Sequence, residues 1–175
     1  MTSAEAPCLP RATSRAIVPT MNFVQDIVIP VPRDEVCAFV SDADRLLALL
    51  GPALVVDERR VHPDGRKSLR AHVVLRSGKT VRVETEQLER TSLSGGSSIQ
   101  TVKPYAPLSI GQATMRVKTT FESIPEGTQL TQQTEYRVSP LFVHLYVSLF
   151  RRDKVLLSRY RGLERLREAT VAAAR

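Results

Sequence analysis

Apolar and polar residues alternate with a period of two along most of the chain from residue 54 to residue 138. LVVDERRVH (54–62) leads into HPDGR, where Asp64-Gly65 signals a hairpin. In KSLRAHVVLR (67–76), Leu69, Ala71, Val73 and Leu75 share one face, while Arg70, His72 and Arg76 share the other. SGK (77–79) turns the chain, and TVRVETEQL then sets Val81, Val83, Thr85 and Gln87 against Arg82, Glu84 and Glu86. SGGSS (94–98) reads as a loop before SIQTVKPY. Residues 111–124 set Met115, Val117, Thr119 and Phe121 against Arg116, Lys118 and Glu122. After PEG (125–127), Leu130, Gln132, Thr134, Tyr136 and Val138 oppose Gln133, Glu135 and Arg137. Such alternation in strand after strand predicts an antiparallel sheet with one wet face and one covered face.

The period changes at both ends of this stretch. FVQDIVI (23–29) is a first strand, which Pro30 and Pro32 stop because neither can donate to a ladder. Asp34 and Glu35 then favour the start of a helix, and Val36, Phe39 and Val40 make its apolar face. Ser41 or Asp42 caps a second short helix through Leu46, Leu47 and Leu50, ended by Gly51-Pro52. At the other end, Ser139-Pro140 opens a helical pattern in which Phe142, Leu145, Leu149, Leu156, Tyr160 and Leu163 recur. Unbroken, that helix would reach roughly 50 Å. The order is one strand, two short helices, about six strands and one long helix. The fold class is α+β, a curved sheet of about seven strands around a long C-terminal helix, with the early helices closing one end.

Composition narrows the picture. An apolar fraction of 42% suits a folded core. No apolar run is long enough to span a bilayer. Residues 1–20 lack a basic start followed by an apolar stretch, so they read as a loose tail and not a secretory signal. Met21 stands where folded sequence begins, so a start at Met21 instead of Met1 would remove only the tail. Cys8 and Cys37 suggest neither a disulfide framework nor a metal site, and a reducing, cytoplasmic setting follows. The formal charge is +7, and residues 151–175 carry eight basic and three acidic residues. The cations at 151, 152, 154, 159, 161, 165 and 167 spread around the helix with Glu164 and Glu168 between them. That reads as a solvated face, not a nucleic-acid surface.

Two segments carry a family resemblance. IVIPVPRDEVCAFVSDADRL (27–46) is similar to the opening motif of the START-like, helix-grip (SRPBCC) superfamily, in its polyketide cyclase/dehydrase and lipid-transport group. PLFVHLYVSLFRRDK…LERLRE resembles the terminal helix of that group. Cys37 stands where the family often carries tryptophan, which leaves more room beside that helix. The resemblance implies a single START-like domain over 21–175. It also implies a deep pocket between sheet and helix, filled by a hydrophobic small molecule. The family includes carriers, sensors and cyclases, so the fold does not choose among them.

Thr85, Gln87, Thr101, Thr119, Gln132, Thr134 and Tyr136 interrupt the face expected to be covered. Several polar groups on one concave surface are tolerated where water or a ligand meets them; a filled core with wet sheet edges is the plainer alternative. The expected ligand-binding set is Val83, Thr85, Gln87, Met115, Thr119, Gln132, Thr134, Tyr136, Leu149 and Tyr160. The covered face shows no Asp, Glu, Lys or His for general acid–base work. His72 falls with the wet residues and His62 at a hairpin end, which leaves His144 near a pocket mouth. Tyr136 and Tyr105 are suited to donate to a carbonyl or phenol. A cyclase, aromatase or dehydratase would use Tyr136 and His144. No metal spacing, phosphate loop or nucleophile motif appears, so no metal or cofactor is expected. LFVHLYVSLF (141–150) is apolar almost all round and RRDK follows it, so its excess apolar surface is expected to meet the pocket contents, a homodimer partner or a membrane surface, with burial and a homodimer contact ahead of peripheral contact with a membrane.

Overall fold

β1 (Met21–Ile29) begins two residues before the strand expected from its alternation, and Pro30 and Pro32 follow it. The structure, a computed structural model, describes residues 20–49, 54–75, 77–103 and 110–175. The expected tail up to Pro19, the end of the second helix at Leu50 to Pro52, and Tyr105 lie outside the described residues. α1 (Arg33–Ser41) starts directly after Pro32, with Asp34 and Glu35 in its first turn. α2 (Ala43–Leu49) is capped by Asp42, whose Oδ1 accepts from the backbone N–H groups of Asp44 and Arg45 at 2.9 and 3.2 Å.

Six further strands complete one antiparallel sheet: β2 (Leu54–Val61), β3 (Lys67–Val74), β4 (Thr80–Ser92), β5 (Gly95–Lys103), β6 (Gln112–Ile124) and β7 (Gly127–Ser139). Their spatial order is β1-β7-β6-β5-β4-β3-β2. The first strand therefore pairs with the last, and the two sheet edges are β1 and β2. Gly65 closes the β2–β3 hairpin at φ +81, a conformation that glycine adopts without strain. At the β1 edge, Thr128 Oγ1 donates to the carbonyl of Val31 at 2.7 Å and fixes the turn that leads into α1.

The expected single terminal helix is two helices, α3 (Leu141–Phe150) and α4 (Arg152–Ala173). Arg151 sits between them at φ −126, ψ −1, outside helical geometry. A run of apolar residues gives no sign of such a break, because both sides keep the same period. Ser139 belongs to β7 and Pro140 precedes α3, which has no side-chain cap.

Register assigns the faces. Phe23 stands opposite Thr134, Thr134 opposite Val117, Val117 opposite Ser98, and Ser98 opposite Gln87. The inner face therefore runs through the odd positions of β1, β4 and β6 and the even positions of β5 and β7. α3 and α4 cover it over β1, β7 and β6. One apolar cluster under α3 includes Phe23, Met115, Tyr136, Val143 and Val147. A second, where α1, α2 and α4 meet the sheet, includes Ile29, Val36, Phe121, Leu130, Leu163 and Leu166. The early helices are tied to the far edge by Arg59–Asp44 at 2.6 Å and by Lys67 Nζ donating to the Ser41 carbonyl at 3.1 Å. They close one end of the concavity, as expected.

Candidate functional site

The covering of the inner face is uneven. On β1, β7 and β6, Phe23, Leu130, Thr134, Tyr136, Met115 and Val117 are buried. On β4 and β5, Val83, Thr85, Gln87, Ser98, Gln100 and Val102 stay half-buried, as does Thr119 on β6. Among them Val102 packs against the cluster under α3, and Val81, on the same face of β4, is buried. The half-buried set mixes methyl groups, hydroxyls and amides on one concave wall.

Register brings eight of the expected binding residues, Val83 to Tyr136, onto this inner face. Their roles divide. Met115, Thr134 and Tyr136 are packed beneath the helices, whereas Val83, Thr85 and Thr119 face the more open half. Gln87 is already engaged: its Oε1 accepts from Lys67 N at 2.9 Å and its Nε2 donates to Thr91 Oγ1 at 3.4 Å. Leu149 and Tyr160 do not join the wall. They are 72% and 42% exposed, because α3 buries Val143, His144 and Val147 while α4 buries Leu163, Leu166 and Thr170.

Thr101 stands opposite Glu84 and faces outward, contrary to expectation. Ile99 and Val102 have opposite parity, so alternation within β5 does not decide its faces. The pairing of Val102 with Val83 and Ala113 does. The SGGSS segment also differs: Gly95 to Ser98 already belong to β5. A side chain at Gly95 would collide with the Thr119 carbonyl oxygen, so glycine permits a close approach to β6.

The histidines separate clearly. His72 Nδ1 is 2.7 Å from Asp57 Oδ1 on the outer face, and His62 Nε2 is 3.2 Å from Ser68 Oγ. His144 is 3% exposed, within α3's buried side and not at an open mouth. Burial pushes its pKa below the ordinary value, and Nδ1 has no hydrogen-bond partner among the described residues. Cys37 is buried in the other apolar cluster, where α1 meets the sheet, with Sγ 3.6 Å from the Ser92 carbonyl; burial raises its pKa, and Arg33 partly opposes the shift.

Sequence reasoning missed Arg159. It was assigned to a solvated face, but it stands in the α4 stripe Leu156, Arg159, Leu163, Leu166 and Thr170 that lies on the sheet. Nη2 donates to Gln132 Oε1 at 3.5 Å, and the enclosed Nε has no partner among the described residues. The alternating three- and four-residue spacing of that stripe was the available signal. Gln25 was also missed: it lies opposite Gln132, and its Nε2 donates to the Leu156 carbonyl at 3.1 Å.

The outer face carries hollows of a different chemistry. One of about 270 Å³ is lined by Glu58, Arg60, His62, Arg70, Glu84 and their neighbours. Arg70 pairs there with Glu58 at 3.3 Å and Glu84 at 3.5 Å. Ion pairs occupy this surface, with Leu69 and Ile99 also in the lining. Among the described residues, no group of His, Cys, Asp and Glu could hold a metal ion. No described helix is long and apolar enough to cross a membrane.

The curved seven-stranded sheet, the paired helices after β1 and the terminal helices across its inner face define a helix-grip fold. No protein-family model matches the chain, and no curated protein matches it in sequence. Solved structures do match. A putative uncharacterized protein from Rhizobium leguminosarum superposes with a TM-score of 0.67 at 13% identity, covering 89% of this chain and 97% of its own. Ara h 8.0201 superposes at 0.58 with 17% identity, covering 88% and 99%. The di-domain ARO/CYC BexL from the BE-7585A biosynthetic pathway superposes at 0.58 with 19% identity. That match covers 89% of this chain and 50% of BexL. At these identities the likeness establishes the fold.

Proposed function

We propose that this chain binds a hydrophobic small molecule, lipid-like or polyketide-like, between the sheet and its C-terminal helices. The observation that carries the reading is the uneven cover of the inner face. One half is sealed, while Val83, Thr85, Ser98, Gln100, Val102 and Thr119 remain half-buried on a concave wall of mixed polarity. The likeness in fold to a di-domain ARO/CYC protein of a biosynthetic pathway supports a small-molecule ligand in general terms. Binding is favoured over catalysis because the half-buried wall carries hydroxyls, amides and methyl groups. Among the described residues it presents no group that titrates near neutrality. Fluorescence titration with the neutral dye Nile red tests the reading. Thr85→Trp and Gln100→Trp should each weaken binding about tenfold or more by filling the space, with the melting temperature held. Unchanged binding in both folded variants would remove it.

The surface of α3 supports a bilayer as the place where such a ligand is met. Leu141, Phe142, Leu145, Leu149 and Phe150 are 50–72% exposed, and α3 contains no charged residue. Arg151, Arg152 and Lys154 follow at once, with Asp153 among them. An apolar face with a cationic collar fits an anionic membrane surface. A symmetric dimer through the same face would bring two such collars together. Co-sedimentation with phosphatidylglycerol-containing vesicles should exceed that with phosphatidylcholine alone and should fall in Phe142→Asp. A concentration-dependent dimer on gel filtration, with no vesicle binding, would assign the face to a second copy instead.

A further inference from the structure

A polar row crosses the sheet between the two apolar clusters. Gln25 on β1 stands opposite Gln132 on β7, and Gln132 stands opposite Thr119 on β6. Phe23 and Val117 belong to the cluster on one side, and Ile27 and Phe121 to the cluster on the other. Arg159 descends onto this row from α4, between Leu156 and Leu163 in the stripe that meets the sheet. Its guanidinium has five N–H donors. One makes the long 3.5 Å contact to Gln132 Oε1, and the enclosed Nε makes none. Gln25 donates its amide N–H to the Leu156 carbonyl and so ties β1 to α4 beside the arginine. Among the described residues no carboxylate pairs with Arg159. Burial lowers its pKa, and the Tyr136 side chain opposes that shift.

A cation enclosed without a counter-ion opposes folding. An arginine stem that only covers apolar surface would keep its head in water. Here Nε is enclosed, and the head contacts a glutamine on the inner wall. We propose that Arg159, with Gln132 and Tyr136 beside it, receives the carboxylate of an amphipathic ligand. The ligand's apolar body would lie along the more open half, against Val83, Val102 and the Thr85 methyl group. A single planar guanidinium matches a planar monoanion through two parallel N–H···O bonds. The inference rests on the proposed cavity and adds the chemistry of the ligand's head.

Nile red displacement by dodecanoate and by methyl dodecanoate separates the two claims. At about pH 7.5 the wild-type chain should bind the acid about tenfold or more tightly than the ester, the range expected of a charge-assisted pair. Arg159→Met should remove that preference while keeping the ester affinity, and Arg159→Lys should retain part of it. Arg159→Met should also melt at a higher temperature than wild type without ligand, because an unpaired enclosed charge is gone. The wild-type preference should fade as the acid is protonated below about pH 5. Equal affinity of wild type for acid and ester would overturn the carboxylate proposal and leave the cavity standing. Equal loss of both ligands in a folded Arg159→Met would reduce Arg159 to a packing residue. Failure of Nile red to bind wild type would overturn the cavity and the carboxylate site together.

Discussion

His144 contributes an imidazole that folding prefers neutral. Burial lowers its pKa, so between the folded value and the ordinary value near 6.5 the unfolded chain binds more protons. Stability from this group is full above about pH 6.5 and is lost as pH falls toward the folded value, by at most about 1.4 kcal/mol per unit. Urea unfolding of wild type should lose more stability between about pH 7.5 and pH 5.5 than unfolding of His144→Leu does. Parallel losses would show that the imidazole does not titrate differently in the two states. The residue scale is also where reading the sequence was weakest. Arg159 sits in an otherwise apolar spacing, and its charge suggested solvent while its position suggested the sheet. Position prevailed, because tertiary packing fixes which side of a helix is turned inward.

At the scale of elements, the strands were legible and their junctions less so. Clean alternation over residues 67–74, 80–87 and 112–124 placed Val83, Thr85, Met115 and Thr119 on the inner face, where register confirms them. β5 lacks that clarity, since its apolar residues sit at both parities, and only its neighbours decide that Gln100 faces in and Thr101 out. The break at Arg151 was hidden because α3 and α4 are each helical in pattern. Each helix turns one side to the sheet: α4 buries Leu163, which is 3% exposed, and α3 buries Val143 and Val147 but leaves Leu149 largely in solvent. Leu163→Ala should therefore cost about 2–5 kcal/mol in chemical denaturation, and Leu149→Ala no more than about 0.5 kcal/mol. Similar costs for the two would mean that Leu149 is packed as Leu163 is.

The molecule as a whole has a clamped half and a more open half. The strands β1, β7 and β6 lie under α3 and α4, and Gln25 and Thr128 add side-chain hydrogen bonds that tie distant segments together. β2 and β3 form the other margin, where β2 pairs with β3 alone and a bulge interrupts its register between Val56 and Glu58. Their inner residues are mostly half-buried, although Ala71 is enclosed. Local opening should follow this asymmetry, since segments with less buried apolar contact open at lower free energy. In hydrogen exchange, amides of β7 and β6 should be protected longest and those of β2 and β3 should exchange first. A ligand held against Val83, Thr85 and Gln100 contacts β4 and β5, so saturation should slow exchange there and in β3 more than in the edge strand β2. A free ligand at about 100 times its dissociation constant would stabilise the chain by about 2.7 kcal/mol, enough to read as a regional change. Protection that rises evenly over all seven strands would argue for global stabilisation from another site, and the more open half would lose its claim to the ligand.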